Sequence, residues 1–126
     1  MATILLVDDD DDVRTATEMM LRRAGHDVES LPDGRRVLER CRARPFDAVI
    51  TDVVMPEQEG IETIRTLRQE DPEIAIIAIS GGGGYGSGAQ YLQTAELIGA
   101  DATFEKPVSS KRLCETLDDL ISAREA

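Results

Sequence analysis

Short apolar runs alternate with amphipathic segments along this chain, and the pair repeats five times. The runs lie at residues 3–7, 28–31, 48–51, 74–79 and 103–104. The run at 3–7 precedes acidic residues and has the length of a strand buried on both faces, and the run at 74–79 is the strongest strand signal. The runs at 28–31 and 103–104 predict a weaker and a short strand. Five strand–helix repeats predict an α/β fold, in which a parallel sheet is covered by helices on both faces.

The segments between the runs predict five helices, because their apolar residues recur at intervals of three and four. Glycine or proline follows four of them, at Gly25, Pro45, Pro72 and Gly99, where helix ends are typical. The last helix carries its apolar stripe through Leu113, Leu117, Leu120 and Ile121. The stretch from Ser80 to Gly88 is too rich in glycine for either element and is predicted to be a loop.

Composition narrows the functional classes. The 126 residues suit one domain, 1–126, and we expect no effector domain beside it. Aromatic residues make up only 3% and the net charge is −11, which argues against nucleic acid as a partner. No apolar run reaches membrane-spanning length and no cysteine spacing suggests zinc, so we expect a cytoplasmic protein without membrane insertion. The only histidine, His26, is expected to be a surface residue.

Chemically active side chains gather where the predicted strands end. The first strand delivers Asp8 and Asp9, the third Asp52, the fourth Ser80 and the fifth Lys106. Ligands of open parallel sheets bind beyond the carboxyl ends of the strands, so these side chains are expected to converge. Crowded carboxylates favour a hard cation such as Mg²⁺. A carboxylate beside Mg²⁺, a lysine and a hydroxyl is equipped to accept a phosphoryl group.

The next three acids, Asp10 to Asp12, have a simpler interpretation. They stand at the start of the first predicted helix, where carboxylates cap free backbone N–H groups and complement the helix dipole. We therefore assign them to the helix N-terminus and leave Asp8 and Asp9 to the metal pocket.

The motifs together resemble the receiver domains of bacterial two-component response regulators. The resemblance covers essentially the whole chain and rests on Val7-Asp8-Asp9, Asp52, Met55-Pro56, Gly60, Ser80 and Lys106-Pro107. It implies a flavodoxin-like, doubly wound three-layer sandwich with five strands in the order 2-1-3-4-5. It also implies a phosphorylation-dependent switch, not an enzyme. A sensor histidine kinase or a histidine phosphotransfer protein would supply the phosphoryl group, and the chain would be a monomer or weak dimer.

The resemblance also implies residue roles. Asp52 is the phosphoacceptor, and Asp9, with Asp8 close by, binds Mg²⁺. Asp52 and the backbone carbonyl of Val54 complete the protein ligands of the metal. Lys106 pairs with the phosphoryl oxygens. The Lys106–Pro107 peptide bond is expected to be cis, as it usually is in this family. Ser80 binds the phosphoryl group and moves inward on activation.

Three features depart from the family pattern. The switch position that usually carries an aromatic ring holds Thr103, and Phe104 follows it. Strand alternation predicts that these two side chains point to opposite faces. Val54 is apolar and cannot hold a hydrolytic water. The loop after Ser80 is unusually rich in glycine, and we expect the signal to leave through this loop and the helix that follows it.

Other functions remain open on the sequence alone. The alternative is a Mg²⁺-dependent phosphohydrolase, whose nucleophile follows the first strand as Asp-x-Asp, a spacing that Asp8 and Asp10 satisfy. A docking module that never needs phosphate is a third class. The pattern Gly81-x-Gly83-x-x-Gly86 matches a dinucleotide fingerprint, but it follows the fourth strand instead of the first.

Overall fold

The structure, a computed structural model, describes residues 2–53, 59–80 and 88–125. Five strands and five α-helices alternate along these ranges. They are β1 (Thr3–Val7), α1 (Asp11–Arg23), β2 (Asp27–Leu31), α2 (Val37–Ala43), β3 (Ala48–Asp52), α3 (Glu59–Glu70), β4 (Ala75–Ser80), α4 (Gly88–Ile98), β5 (Ala102–Glu105) and α5 (Ser110–Glu125); a short 3₁₀ turn at Gly34–Arg36 leads into α2.

The strands form one parallel sheet in the order β2-β1-β3-β4-β5, which confirms the expected fold class and strand order. Strands β3 and β4 are buried along their whole length, as their apolar sequences predict. Because the strands are parallel, the carboxyl ends of β1, β3, β4 and β5 lie at one edge of the sheet.

Two hydrophobic cores, one on each face of the sheet, hold the helices. On the first face, Leu5, Val49 and Ile76 pack with Ile64 of α3 and Ala95 of α4. On the second face, residues of alternate parity on the same strands pack with side chains of α1 and α5, namely Ile4, Ile50, Ile77, Leu21, Leu113 and Leu117. Adjacent residues of a strand therefore enter opposite cores, as a pleated strand requires. None of the helices in the described ranges is both long and apolar enough to cross a bilayer.

Strand β4 begins one residue later than the apolar run predicts. The carboxylate of Asp71 accepts hydrogen bonds from the backbone N–H groups of Glu73, at 3.0 Å, and Ile74, at 3.2 Å. Ile74 is therefore part of a side-chain-capped turn, and the ladder of β4 starts at Ala75.

The prediction that His26 is a surface residue is wrong. Its side chain is only 8% exposed, and Nδ1 accepts a hydrogen bond of 3.1 Å from the backbone N–H of Ala2. The residue lies in the short turn between α1 and β2, and the turn folds the imidazole onto the start of β1. His26 is therefore a structural residue at the edge of the sheet opposite the acidic side chains.

Two glycines with positive φ offer a test of packing around Arg68. Gly99 (φ +133°) follows α4, and a Cβ added there would lie 2.8 Å from Cγ of Arg68. The guanidinium of Arg68 is held by the carbonyl oxygens of Gly99, Pro72 and Ile74, so the side chain cannot easily move aside. Gly25 (φ +96°) follows α1, and an added Cβ there meets nothing within 4 Å.

We expect both Gly99→Ala and Gly25→Ala to lower the free energy of unfolding, by about 1–2 kcal/mol for the left-handed backbone alone. Gly99→Ala should cost at least about 1 kcal/mol more, because its methyl group overpacks against Arg68. Urea denaturation of the two variants measures the difference. Equal losses of unfolding free energy in the two variants would mean that the Arg68 side chain moves aside without an energetic cost.

Candidate functional site

The turn between β1 and α1 presents the first two acids of the site. Asp8 is buried, and its backbone N–H donates to the carbonyl of Leu31 at 3.2 Å. Its Oδ1 accepts from the backbone N–H of Asp10 at 2.9 Å. Asp9, the next residue, is exposed. The turn therefore holds one carboxylate in the protein and leaves the other in contact with solvent.

Asp10 caps α1, as predicted for the acids after Asp9. Its carboxylate accepts from the backbone N–H groups of Asp12 and Val13, while Asp11 and Asp12 lie in the first helical turn. This cap sets the direction in which the chain leaves β1. Asp10 to Asp12 therefore belong to the start of α1, whereas Asp8 and Asp9 precede it.

Asp52 joins the first two acids at the end of β3. One carboxylate oxygen from each of Asp8, Asp9 and Asp52 lies within 4.8 Å of the other two. Asp52 is only 4% exposed and Asp8 only 5%. Such close carboxylates repel one another, so nearby positive charge stabilises the cluster.

Lys106 supplies part of that charge. Its Nζ lies 2.9 Å from Oδ2 of Asp52 and 3.0 Å from Oδ2 of Asp8. Burial by itself disfavours the ammonium, but the hydrogen bonds and charges of Asp52 and Asp8 outweigh burial and raise the pKa of Lys106 above its ordinary value. Lys106 therefore remains a cation wherever the two carboxylates are ionised.

The backbone around Lys106 fixes the position of its side chain. Its N–H donates to the carbonyl oxygen of Ser80 at 2.8 Å, which joins the ends of β4 and β5. The Lys106–Pro107 peptide bond is cis, as the resemblance implies. A cleft of about 660 Å³ between α1 and α5, lined largely by apolar residues, reaches Asp8 and Lys106.

The three acids suit a magnesium ion. Mg²⁺ takes oxygen ligands, usually one or two carboxylates, and retains several waters. Asp8 and Asp52 offer buried carboxylates, and the exposed Asp9 leaves an open side for water. Lys106 neutralises only part of their combined charge, so a divalent cation relieves the rest.

The remaining predicted site residues lie on β4 and β5. Ser80, at the end of β4, is fully buried. Thr103 donates a hydrogen bond of 3.1 Å to Oε1 of Glu96 on α4. Phe104 instead packs against the core beneath α1 and α5, and the guanidinium of Arg112 lies 5.9 Å from its ring centroid. The two side chains therefore point to opposite faces, as predicted.

Several predicted positions lie outside the described residues. Val54, whose carbonyl is a predicted metal ligand, is among them, as are Met55 and Pro56. So is most of the glycine loop, at residues 81–87. The expectation that the signal leaves through that loop therefore stays a prediction.

Sequence reasoning missed Arg14. Its guanidinium donates to the backbone carbonyl of Asp8 at 2.8 Å and pairs with the carboxylate of Asp11 at 2.5 Å. One signal was present, because a cation near the start of a helix opposes the helix dipole and implies a local partner.

Comparisons with known proteins identify the family of this chain. A family model described as the response regulator receiver domain matches residues 4–118. The response regulator receiver protein CpdR of Brucella abortus is 40% identical over 64% of this chain and 68% of its own length. The sensor kinase CckA of the same organism is 35% identical over 98% of this chain, but the match spans only 13% of the kinase.

A solved structure shows the same fold. The CheY-like response regulator receiver domain protein of Methanospirillum hungatei superposes with a TM-score of 0.85 and is 26% identical, over 99% of this chain and 97% of its own. The family model covers most of the present chain, including the acids of β1 and β3 and the lysine after β5. The chain therefore belongs to the response regulator receiver domain family, whose members act in phosphorylation-dependent two-component signalling.

Proposed function

We propose that this chain accepts a phosphoryl group on Asp52 and that the modification switches its interactions. The observation that carries the proposal is the position of the Asp52 carboxylate. It is buried at the end of β3, bonded to the ammonium of Lys106, and within 4.8 Å of ligand oxygens from Asp8 and Asp9. Among these acids, Asp52 is the one that the fold places at the centre of the sheet edge.

The reaction follows from these contacts. A carboxylate oxygen of Asp52 attacks the phosphorus of a phosphohistidine, the P–N bond breaks, and the imidazole leaves with the bonding electrons. Lys106 balances negative charge that develops on the phosphoryl oxygens. Asp8, Asp9 and Asp52, with the carbonyl of Val54, would hold Mg²⁺. When bound, Mg²⁺ neutralises charge on the transferring group and draws the carboxylates together.

The phosphohydrolase alternative finds less support. It requires Asp8 as nucleophile and Asp10 as its acid–base partner, but the carboxylate of Asp10 accepts two backbone N–H groups at the start of α1. One carboxylate oxygen of Asp8 also accepts the backbone N–H of Asp10, which ties this side chain to the β1–α1 turn. We therefore propose a phosphoacceptor without turnover of external phosphate esters, and expect aryl phosphates to give no sustained hydrolysis.

The partners follow from the family. Receiver domains take phosphate from histidine kinases, and we propose that a sensor histidine kinase or a histidine phosphotransfer protein is the donor here. A downstream protein would read the phosphorylated state, in the cytoplasm. The net charge of −11 argues against direct nucleic-acid binding, and the chain is proposed to act as a monomer or weak dimer.

Ser80, Thr103 and Phe104 suggest how the switch works. Ser80 shares strand parity with Ala78, which packs in the core beneath α3 and α4. Thr103 is bonded to α4 through Glu96, whereas Phe104 faces the opposite core. We propose that Ser80 reaches the phosphoryl group and that α4 responds, without the motion of an aromatic ring.

Acetyl phosphate tests the proposed function. With Mg²⁺ present, intact-mass spectrometry should show one added phosphoryl group that is labile to base and to hydroxylamine. The same incubation with a chelator should give almost none, because the acids then lack their cation. Addition without Mg²⁺, or label stable to hydroxylamine, would contradict an aspartyl phosphate in this pocket.

A further inference from the structure

We infer that Arg14 is a positioning residue of the Mg²⁺ pocket, and that it acts by holding the peptide group between Asp8 and Asp9. The inference rests on the proposed function, because it assigns a role toward the metal of that site. Arg14 is not itself a metal ligand, because a guanidinium has no acceptor atom to offer a cation.

Two contacts hold the guanidinium of Arg14 against the β1–α1 turn. One terminal nitrogen donates to the carbonyl oxygen of Asp8 at 2.8 Å, and the other lies 2.5 Å from Oδ1 of Asp11. The side chain of Arg14 is only 17% exposed, whereas that of Asp11 is 81% exposed. The guanidinium is therefore enclosed against the β1–α1 turn, and the ion pair with Asp11 fixes its outer edge.

The hydrogen bond to the Asp8 carbonyl affects the position of Asp9. It belongs to the planar peptide group that also contains the nitrogen and Cα of Asp9, so its orientation helps to set where the Asp9 side chain begins. The other groups of Asp8 are fixed by Leu31, Asp10 and Lys106. The bond from Arg14 completes this set on the side toward Asp9, the exposed member of the cluster.

Electrostatics alone predicts the opposite effect. A positive guanidinium near a cation pocket opposes Mg²⁺, so its removal should strengthen binding if charge were all that mattered. A positioning role predicts that removal of Arg14 weakens Mg²⁺ binding, because the loss of a partner that orients metal ligands typically lowers metal affinity by roughly 10–100-fold. The sign of the change therefore separates the two roles.

The chain provides a matched control on the same helix. Arg22 also pairs with a carboxylate, that of Glu18 at 3.2 Å, and donates to a backbone carbonyl, that of Val28 at 2.5 Å. These contacts lie at the other end of α1, away from the acids. Arg22→Gln therefore makes the same change of charge and removes the same types of contact without touching the pocket.

Titration of the full chain with Mg²⁺ alone, followed by calorimetry, tests the inference. Arg14→Gln should raise the Kd for Mg²⁺ about tenfold, whereas Arg22→Gln should leave it within about twofold. Arg14→Lys should also weaken binding, because a lysine keeps the charge but cannot reproduce the planar fork. It also serves as the test protein should Arg14→Gln fail to fold.

A parallel titration with Ca²⁺ separates geometry from general stability. Ca²⁺ tolerates flexible coordination and Mg²⁺ does not, so the Arg14 variants should lose more affinity for Mg²⁺ than for Ca²⁺. Unchanged or tighter Mg²⁺ binding in these variants would overturn the inference, as would equal losses for both ions. Absence of Mg²⁺ binding by the unaltered chain would instead refute the proposed function.

Discussion

Replacement of Asp52 by Asn is expected to abolish phosphorylation by acetyl phosphate. The amide keeps the size of the side chain but removes the nucleophilic carboxylate, and the neighbouring acids cannot take its place. One oxygen of Asp8 is tied to the β1–α1 turn by the N–H of Asp10, and Asp9 is exposed at the rim. Intact-mass spectrometry should therefore detect no phosphorylated Asp52→Asn under conditions that label the unaltered chain.

Asp119→Asn is the control for that result. Asp119 is an exposed residue on α5, so its replacement by Asn makes the same change of charge without altering the cluster. It should be labelled as fully as the unaltered chain. Undiminished label in Asp52→Asn would show that another group is the principal acceptor, whereas loss in both variants would point to a nonspecific effect of charge.

Asp9→Asn is expected to eliminate stabilisation by Mg²⁺. A ligand that binds only the folded state raises the free energy of unfolding by about 2.7 kcal/mol at 100 times its Kd. Asp9 contributes one of three clustered carboxylates and is exposed, so its replacement removes one of the charged ligands that we propose for Mg²⁺. Thermal or urea unfolding, with and without Mg²⁺, measures the difference.

The matched variant is Asp12→Asn. Asp12 lies three residues away in the first turn of α1, is exposed, and carries the same charge, but it is not part of the cluster. It should retain the Mg²⁺-dependent stabilisation. A full Mg²⁺ effect in Asp9→Asn would place the ion elsewhere, and an equal loss in both variants would indicate diffuse attraction to the acidic turn.

Much of the fold could be predicted because local and global signals agree. The apolar runs became strands, and glycine or proline marked most helix ends. The strand order came from the family resemblance, not from the periodicity. The start of β4 was displaced because the Asp71 carboxylate captures the N–H of Ile74, a contact that hydropathy does not encode.

The convergence of the site was predictable for a related reason. Parallel strands bring their carboxyl ends to one edge, so Asp8, Asp52 and Lys106 had to meet once the strands were identified. Arg14 and His26 were missed because their roles depend on backbone atoms, a carbonyl and an N–H group, that every residue possesses. Residue identity marks the side chain that donates or accepts, but not the backbone group that it meets.

The most direct measurement of the central claim is chemical mapping of the modified residue. Borohydride reduces an acyl phosphate to an alcohol, so a phosphorylated aspartate becomes homoserine and can be located by peptide sequencing. After incubation with acetyl phosphate and Mg²⁺, homoserine should appear at position 52. Homoserine at position 8 instead would contradict the account, because it would place the nucleophile after β1, as the phosphohydrolase alternative requires.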